Sequence, residues 1–180
     1  MRHGKPAYKG SSKITSHEMA NWITGYDLSD TGDDMPPESS KRLASSALQI
    51  ISSPLPRTLS SLRALGCEPD VVDEAFREAD LPVFAIPGIR LSPSLWAALF
   101  RIIWICGFSR KVESMRTAKQ RAKHAANILV RCAKISDGPV LLMGHGVMNR
   151  LIARELRSLG LKEHRCQGNG YWNARRYRFH

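Results

Sequence analysis

Residues 140–146, Val-Leu-Leu-Met-Gly-His-Gly, restrict the fold more than any other stretch of the chain. A short apolar run without polar alternation must be covered on both faces, as a central strand of a parallel sheet is. Parallel strands need long crossovers, usually helical, and the flanks supply them. A helix is expected from about Val112 to Lys134, with Met115, Ala118, Ala122, Ala125, Ala126, Leu129, Val130 and Ala133 as its packed stripe. After the turn Asp137-Gly138-Pro139 comes the strand 140–143, then a helix from Met148 to Leu159 that packs back through Leu151, Ile152 and Leu156. His145, between two glycines, falls at the carboxyl end of the strand, the edge at which open α/β sheets bind ligands.

Two further stretches point to the same edge. Leu48–Ser52 reads as a strand ended by Ser53-Pro54, and Pro56 opens a helix with Leu59, Leu62 and Leu65 inward and Gly66 as its stop. Arg57 is thereby placed in a first helical turn, where the backbone field favours an anion. The chain begins Met1-Arg2-His3-Gly4. Arg2 can fork onto two phosphate oxygens, His3 offers a neutral, nucleophilic imidazole nitrogen, and Gly4 allows close approach. Val71–Phe76 reads as one more strand, followed by Arg77-Glu78. Glu78 is an isolated loop carboxylate, with Glu74 and Asp73 as close rivals.

In this order and spacing, Arg2-His3-Gly4, Ser53-Pro54 with Arg57, Phe76-Arg77-Glu78 and Gly144-His145-Gly146 resemble the histidine phosphatase superfamily, also called the phosphoglycerate mutase-like family. The likeness runs from Arg2 to about Gly160. It implies an α/β three-layer sandwich with a mostly parallel central sheet flanked by helices, in a single domain spanning 1–180. It also implies that His3 attacks phosphorus to form a phosphohistidine, while Arg2, Arg57 and His145 hold the equatorial oxygens, His145 as a protonated donor. Glu78 would exchange protons with the leaving group and water. No cofactor and no metal is expected. The expected activity is hydrolysis of a phosphomonoester, on a small metabolite or a phosphoprotein, with a phosphomutase as the alternative within the family.

Charge suggests a reading from another class. The net charge is +11, yet residues 1–100 carry 10 Lys and Arg against 12 Asp and Glu, and the remainder 17 against 4. Such a basic half attracts anions. A non-enzymatic phosphate- or polyanion-binding module is therefore the second hypothesis, although nucleic acid is not the expected partner. The four cysteines, Cys67, Cys106, Cys132 and Cys166, lie far apart and read as reduced thiols. With no secretory pattern at the start, a cytoplasmic protein is expected.

Other segments carry structural expectations. Thr15-Ser16-His17-Glu18 resembles a capping box, opening a helix with Met19, Trp22 and Ile23 buried and Gly25 as its end; His17 reads as a solvated helix-start residue. Asp27–Pro37 reads as a surface loop and 37–47 as a helix. Ser92-Pro93 starts a helix that is apolar nearly all round from Leu95 to Phe108, too short for a membrane span and most simply buried. It belongs to a helical insertion at about 80–110, expected to cover the site or to form a homodimer contact through 95–108. Tyr171–Arg178 reads as an edge strand. A terminal amine with histidine at position 3 also matches a square-planar copper or nickel chelate. Finally, family members carry an apolar strand ahead of the first motif, and this sequence has only Met1 there. The first strand is expected to be truncated and the native start to lie upstream.

Overall fold

A computed structural model describes residues 1–8 and 13–179. In chain order the elements are β1 (Ile14–Thr15), α1 (Glu18–Leu28), α2 (Glu38–Ser45), β2 (Gln49–Ser52), α3 (Pro56–Ala64), β3 (Val71–Val72) and β4 (Arg90–Leu91). Then follow α4 (Pro93–Ile105), α5 (Met115–Ile135), β5 (Val140–Met143), α6 (Gly146–Ser158), β6 (Lys162–Cys166) and β7 (Arg175–Arg178). The centre is a parallel sheet in the order β3-β2-β5, with Ile51 opposite both Val71 and Leu142. The fold is α/β, with helices on both faces of this sheet.

The apolar run 140–143 is explained by what covers it. Leu141 and Met143 pack with Ala44 of α2, Leu62 of α3 and Trp172. Val140 and Leu142 meet the opposite layer, built on α5 and α6. Side chains alternate across a strand, so both sets must be apolar when both faces are covered. Ala118, Ala122, Ala125 and Ala126 of α5 are fully buried, and this small-residue stripe brings α5 close to α6 and to Phe76.

Several local expectations are corrected. Helix α1 runs through Gly25 to Leu28. Gly25 serves packing there: a Cβ would lie 2.6 Å from the Tyr8 hydroxyl. The capping box forms as expected, Thr15 N–H donating to Glu18 Oε2 at 2.7 Å and Glu18 N–H to Thr15 Oγ1 at 3.3 Å. His17 is exposed. Residues 71–76 are a strand only at Val71–Val72. The Asp73 carboxylate then accepts the Ala75 N–H at 2.7 Å and bends the chain into a 3-10 turn, Glu74–Phe76. Helix α4 is not buried all round. Trp96, Phe100 and Trp104 are enclosed, while Leu95 (57 % exposed), Ile102, Ile105 and Phe108 (64 %) face outward. No helix among the described residues is long and apolar enough to cross a membrane. The expected edge strand is β7, and it gains an antiparallel partner, β6, for which the sequence offers no pattern.

The first residues are threaded between two partners. Met1 C=O accepts the Gly144 N–H at 3.0 Å, and His3 N–H donates to Gly144 C=O at 3.1 Å. On the other side Arg2 N–H donates to Asn173 C=O at 3.0 Å and Trp172 N–H to Arg2 C=O at 3.1 Å. The α-amine of Met1 donates to Leu142 C=O at 2.6 Å. The amine and the Arg2 and His3 amides, which a copper or nickel chelate would need, are thus committed to the backbone. Gly4 closes the segment against the Trp172 indole, where a Cβ would collide with the ring. Gly4→Ala is expected to lower stability by about 1–3 kcal/mol, the usual cost of overpacking, read as a reduced urea midpoint at unchanged m-value.

Candidate active site

Two histidines meet where the amino-terminal segment ends beside β5. Their ring centroids are 5.1 Å apart, edge to face, and both side chains are buried. His3 Nδ1 lies 2.7 Å from the carbonyl oxygen of Gly4. A carbonyl only accepts, so Nδ1 carries the proton and Nε2 keeps its lone pair. His145, the residue before α6, places Nε2 2.8 Å from Ser53 Oγ at the end of β2, while its buried Nδ1 has no partner among the described residues.

Arginines surround the pair. Arg57, in the first turn of α3, is 2 % exposed. Its Nη1 donates to Asp27 Oδ1 at 2.9 Å, and its guanidinium lies 4.9 Å from the Tyr26 ring centroid. Arg2 donates through Nη1 to Asn169 C=O at 2.7 Å and stacks 4.2 Å from the Tyr171 ring centroid. It also passes within 3.5 Å of where a Gly146 Cβ would stand. The buried Nε of each arginine is unpartnered among the described residues.

The three carboxylates that the sequence leaves open separate clearly. Asp73 is spent on the Ala75 amide, and Glu74 pairs at the surface with Arg77 at 3.4 Å. Glu78 alone reaches the site: it accepts the N–H groups of Val147 at 3.1 Å and Met148 at 2.9 Å, in the first turn of α6 just after His145. Its loop is held by Arg121, which donates to Ala75 C=O at 3.1 Å and Arg77 C=O at 2.7 Å while forking onto Glu113 at 2.9 and 2.6 Å. Arg2, His3, Arg57, His145 and Glu78 therefore converge on one edge of the fold. No cluster of metal-ligating side chains stands among the described residues.

The family description "Histidine phosphatase superfamily (branch 1)" matches residues 1–178. The chain belongs to the histidine phosphatase superfamily. Among solved structures it is similar to mycobacterial hydrolase 1, at 18 % identity and TM-score 0.60, covering 98 % of this chain and 94 % of that one. Mycobacterial hydrolase 2 gives 19 %, 0.59, 98 % and 86 %. A phosphoserine phosphatase from Entamoeba histolytica, solved with 3-phosphoglyceric acid, gives 14 %, 0.53, 87 % and 77 %. At these identities the likeness is one of fold. No curated protein matches.

Within this superfamily member, several site residues have no signal in the sequence. Tyr26, Asp27, Tyr171 and Asn169 lie in loops or at a helix end, and only the fold brings them to the two arginines. Ser53 stands next to a motif but reads only as a strand end. Arg121 looks like one more cation on a basic helix. The phenol of Tyr26 is pushed up to about 12 by burial and by Tyr171 beside it.

The same crowding keeps the histidines neutral. Burial, then the Arg57 charge, lowers His3 to about 3, with Arg2 adding to the effect against the Gly4 hydrogen bond. Burial, Arg57, His3 and Arg2 hold His145 well below the usual histidine range. Burial also lowers the Met1 α-amine to about 5. Each of these bases is protonated more readily in the unfolded chain, which therefore binds more protons as the pH drops. Stability from these groups is complete above their unfolded values, about 8 for the amine and about 6.5 for the histidines, and is lost as pH falls. The urea midpoint is expected to decline from pH 8 to pH 5, and a His3→Gln, His145→Gln variant should decline less below pH 6.5.

Proposed function

We propose that the protein is a phosphatase that hydrolyses phosphomonoesters through a phosphohistidine on His3. The observation that carries this reading is the His3 ring itself: Nδ1–H is fixed on the Gly4 carbonyl, Nε2 has no hydrogen-bond partner among the described residues, and Arg2, Arg57 and His145 stand around it. In the first step the Nε2 lone pair attacks phosphorus, the N–P bond forms and the P–O bond to the leaving alcohol breaks. Glu78 gives its proton to the departing alkoxide, then takes one from the water that attacks the phosphohistidine. Hydrolysis releases inorganic phosphate and restores His3.

Charge gathers on the three equatorial phosphate oxygens in the transition state, where Arg2, Arg57 and His145 stabilise it. His145 is neutral in the empty site. A phosphate dianion brings the opposite charge and favours the protonated imidazole, which then donates to it. The two guanidinium groups supply the positive charge that the reaction needs, so turnover is proposed to be independent of metal. A mutase would share the first step and differ in retaining its phosphoryl group against water. The segment 80–110 is proposed to form the outer wall of the site, since Arg101 of α4 donates to the Ala79 and Asp80 carbonyls just after Glu78.

His3→Ala is expected to abolish turnover and trapping of labelled phosphoenzyme, while Arg57→Ala should lower kcat/KM by about 10²-fold or more, as loss of an oxyanion donor does. Activity should survive EDTA. Full activity in His3→Ala would end the proposal, and a labelled enzyme that passes its phosphate to alcohols but not to water would identify a mutase. Glu78→Gln should slow an alkyl phosphate far more than an aryl phosphate such as p-nitrophenyl phosphate, whose leaving group needs little protonation.

A further inference from the structure

The hairpin β6–β7 sorts its charges by face. Its register sets Lys162 opposite Arg178 and Glu163 opposite Tyr177, then slips by one residue and sets Arg165 opposite Arg176. Directly opposed residues share a face of a strand pair, and so do residues two apart in one strand. Lys162, Arg165, Arg176 and Arg178 therefore stand together on one face. An unbroken register would put His164 opposite Arg176; the bulge at His164 puts a second guanidinium there instead. Glu163, the one acid between Lys162 and Phe179, lies on the other face. It pairs there with Arg157 at 3.0 Å and Arg175 at 3.6 Å, and accepts from the Tyr177 hydroxyl at 2.9 Å.

Like charges directly opposite each other destabilise a strand pair. Among the described residues nothing offsets this one, since neither the Arg165 nor the Arg176 side chain has an ion pair or a hydrogen bond. Arg42 of α2, equally without a side-chain partner among the described residues, joins them around a polar pocket of about 120 Å³ that Ser39 and Gln167 complete. No acidic residue lines it, and the neighbouring Glu38 is taken by Lys41 at 2.7 Å. The remaining groups are donors. Ser39 lies in the first turn of α2, where Pro37 provides no side-chain cap, and its N–H and hydroxyl have no partner among the described residues. That end of a helix carries partial positive charge. Gln167 Oε1 accepts the Ala174 N–H at 2.9 Å, which leaves its amide donors unused.

The chemistry selects the ligand. A guanidinium fork matches a pair of oxygens on carboxylate or phosphate. A carboxylate offers one such pair and a single charge, whereas a phosphate dianion offers several oxygens and two charges to three converging forks. A single-stranded nucleic acid needs aromatic platforms along a basic groove. The pocket is too small for a base, and Tyr177, the aromatic residue of the hairpin, belongs to the opposite face.

We propose that Arg42, Arg165 and Arg176 form an anion site apart from His3 that binds a phosphate dianion, free or as the head group of a larger molecule. It shares no residue with the His3 site and does not rest on the reaction proposed there. The test is the urea midpoint of the whole protein in low-salt buffer at neutral pH, with sodium phosphate compared with sodium chloride at equal ionic strength. Chloride screens charge, whereas an anion bound only by the folded state stabilises further, by mass action. Phosphate is expected to raise the midpoint beyond chloride, saturably, with half the effect at about 1 mM or below. Arg176→Glu turns a repelling cross-strand pair into an attracting one. It should raise the midpoint without phosphate and lose at least half of the phosphate-specific increase. Arg42→Gln, on a different element, should lose it too, and it decides the matter if Arg176→Glu does not fold. Arg57→Ala should retain the part that these two variants lose. Methylphosphonate separates the two forms of ligand: an effect equal to that of phosphate assigns the pocket to a head group, and the lack of one assigns it to the free ion. Equal effects of phosphate and chloride on the unaltered protein, or an undiminished phosphate increase in Arg42→Gln, would overturn the proposal.

Discussion

The structure depends on the backbone pairing of the first three residues. Met1, Arg2 and His3 are held on one side by Leu142 and Gly144 and on the other by Trp172 and Asn173. Each such hydrogen bond contributes only about 1 kcal/mol net, but together they fix the position of His3, the proposed nucleophile. The side-chain contacts then follow. Gly4 donates to Ser61 Oγ at 2.9 Å, Ser61 donates to the Arg57 carbonyl at 2.6 Å, and α3 is thereby tied to the same segment. Trp172 completes the clamp through its indole N–H on Asp34 at 2.8 Å.

Around that segment the protein concentrates positive charge in a buried place, and it does so without protonating the histidines. Burial disfavours the imidazolium forms, and the neighbouring guanidinium groups disfavour them further. The two guanidinium groups are balanced locally by the Asp27 carboxylate and by the faces of two tyrosines. The outcome is a cationic site that holds a neutral His3, the combination that the proposed attack on phosphorus requires. Glu78 is seated on the first amides of α6, those of Val147 and Met148, just after His145 in the chain.

Much of this is legible in the amino-acid sequence. The unalternating run 140–143 declares a doubly covered strand, and the proline at the start of α3 places Arg57 on the same edge as His145. The ordered motifs then point to Arg2 and His3, and to Glu78 with Glu74 and Asp73 as rivals. What stays hidden has a common physical cause: it depends on contacts distant in the chain. Gly25 looks like a helix stop because nothing local shows that Tyr8 lies against it. Tyr171 and Asp27 carry no pattern, and each matters only because the fold brings an arginine to it. The short β3 is an exception. Asp73 is a residue that binds its own backbone two positions on, and this local turn chemistry outweighs the β-branched valines before it.

The pairing of Arg57 with Asp27 has a thermodynamic meaning of its own. The guanidinium is never without an anion: in the empty site it holds a carboxylate that is itself half in solvent. A phosphate arriving at Arg57 thus takes part in an exchange, one anion for another, and only the difference between the two contacts appears as affinity. Under the proposed function, the cost of displacing Asp27 is subtracted from every phosphate that takes its place, product and transition state alike, so the ion pair sets the strength of anion binding at Arg57 without itself discriminating between them.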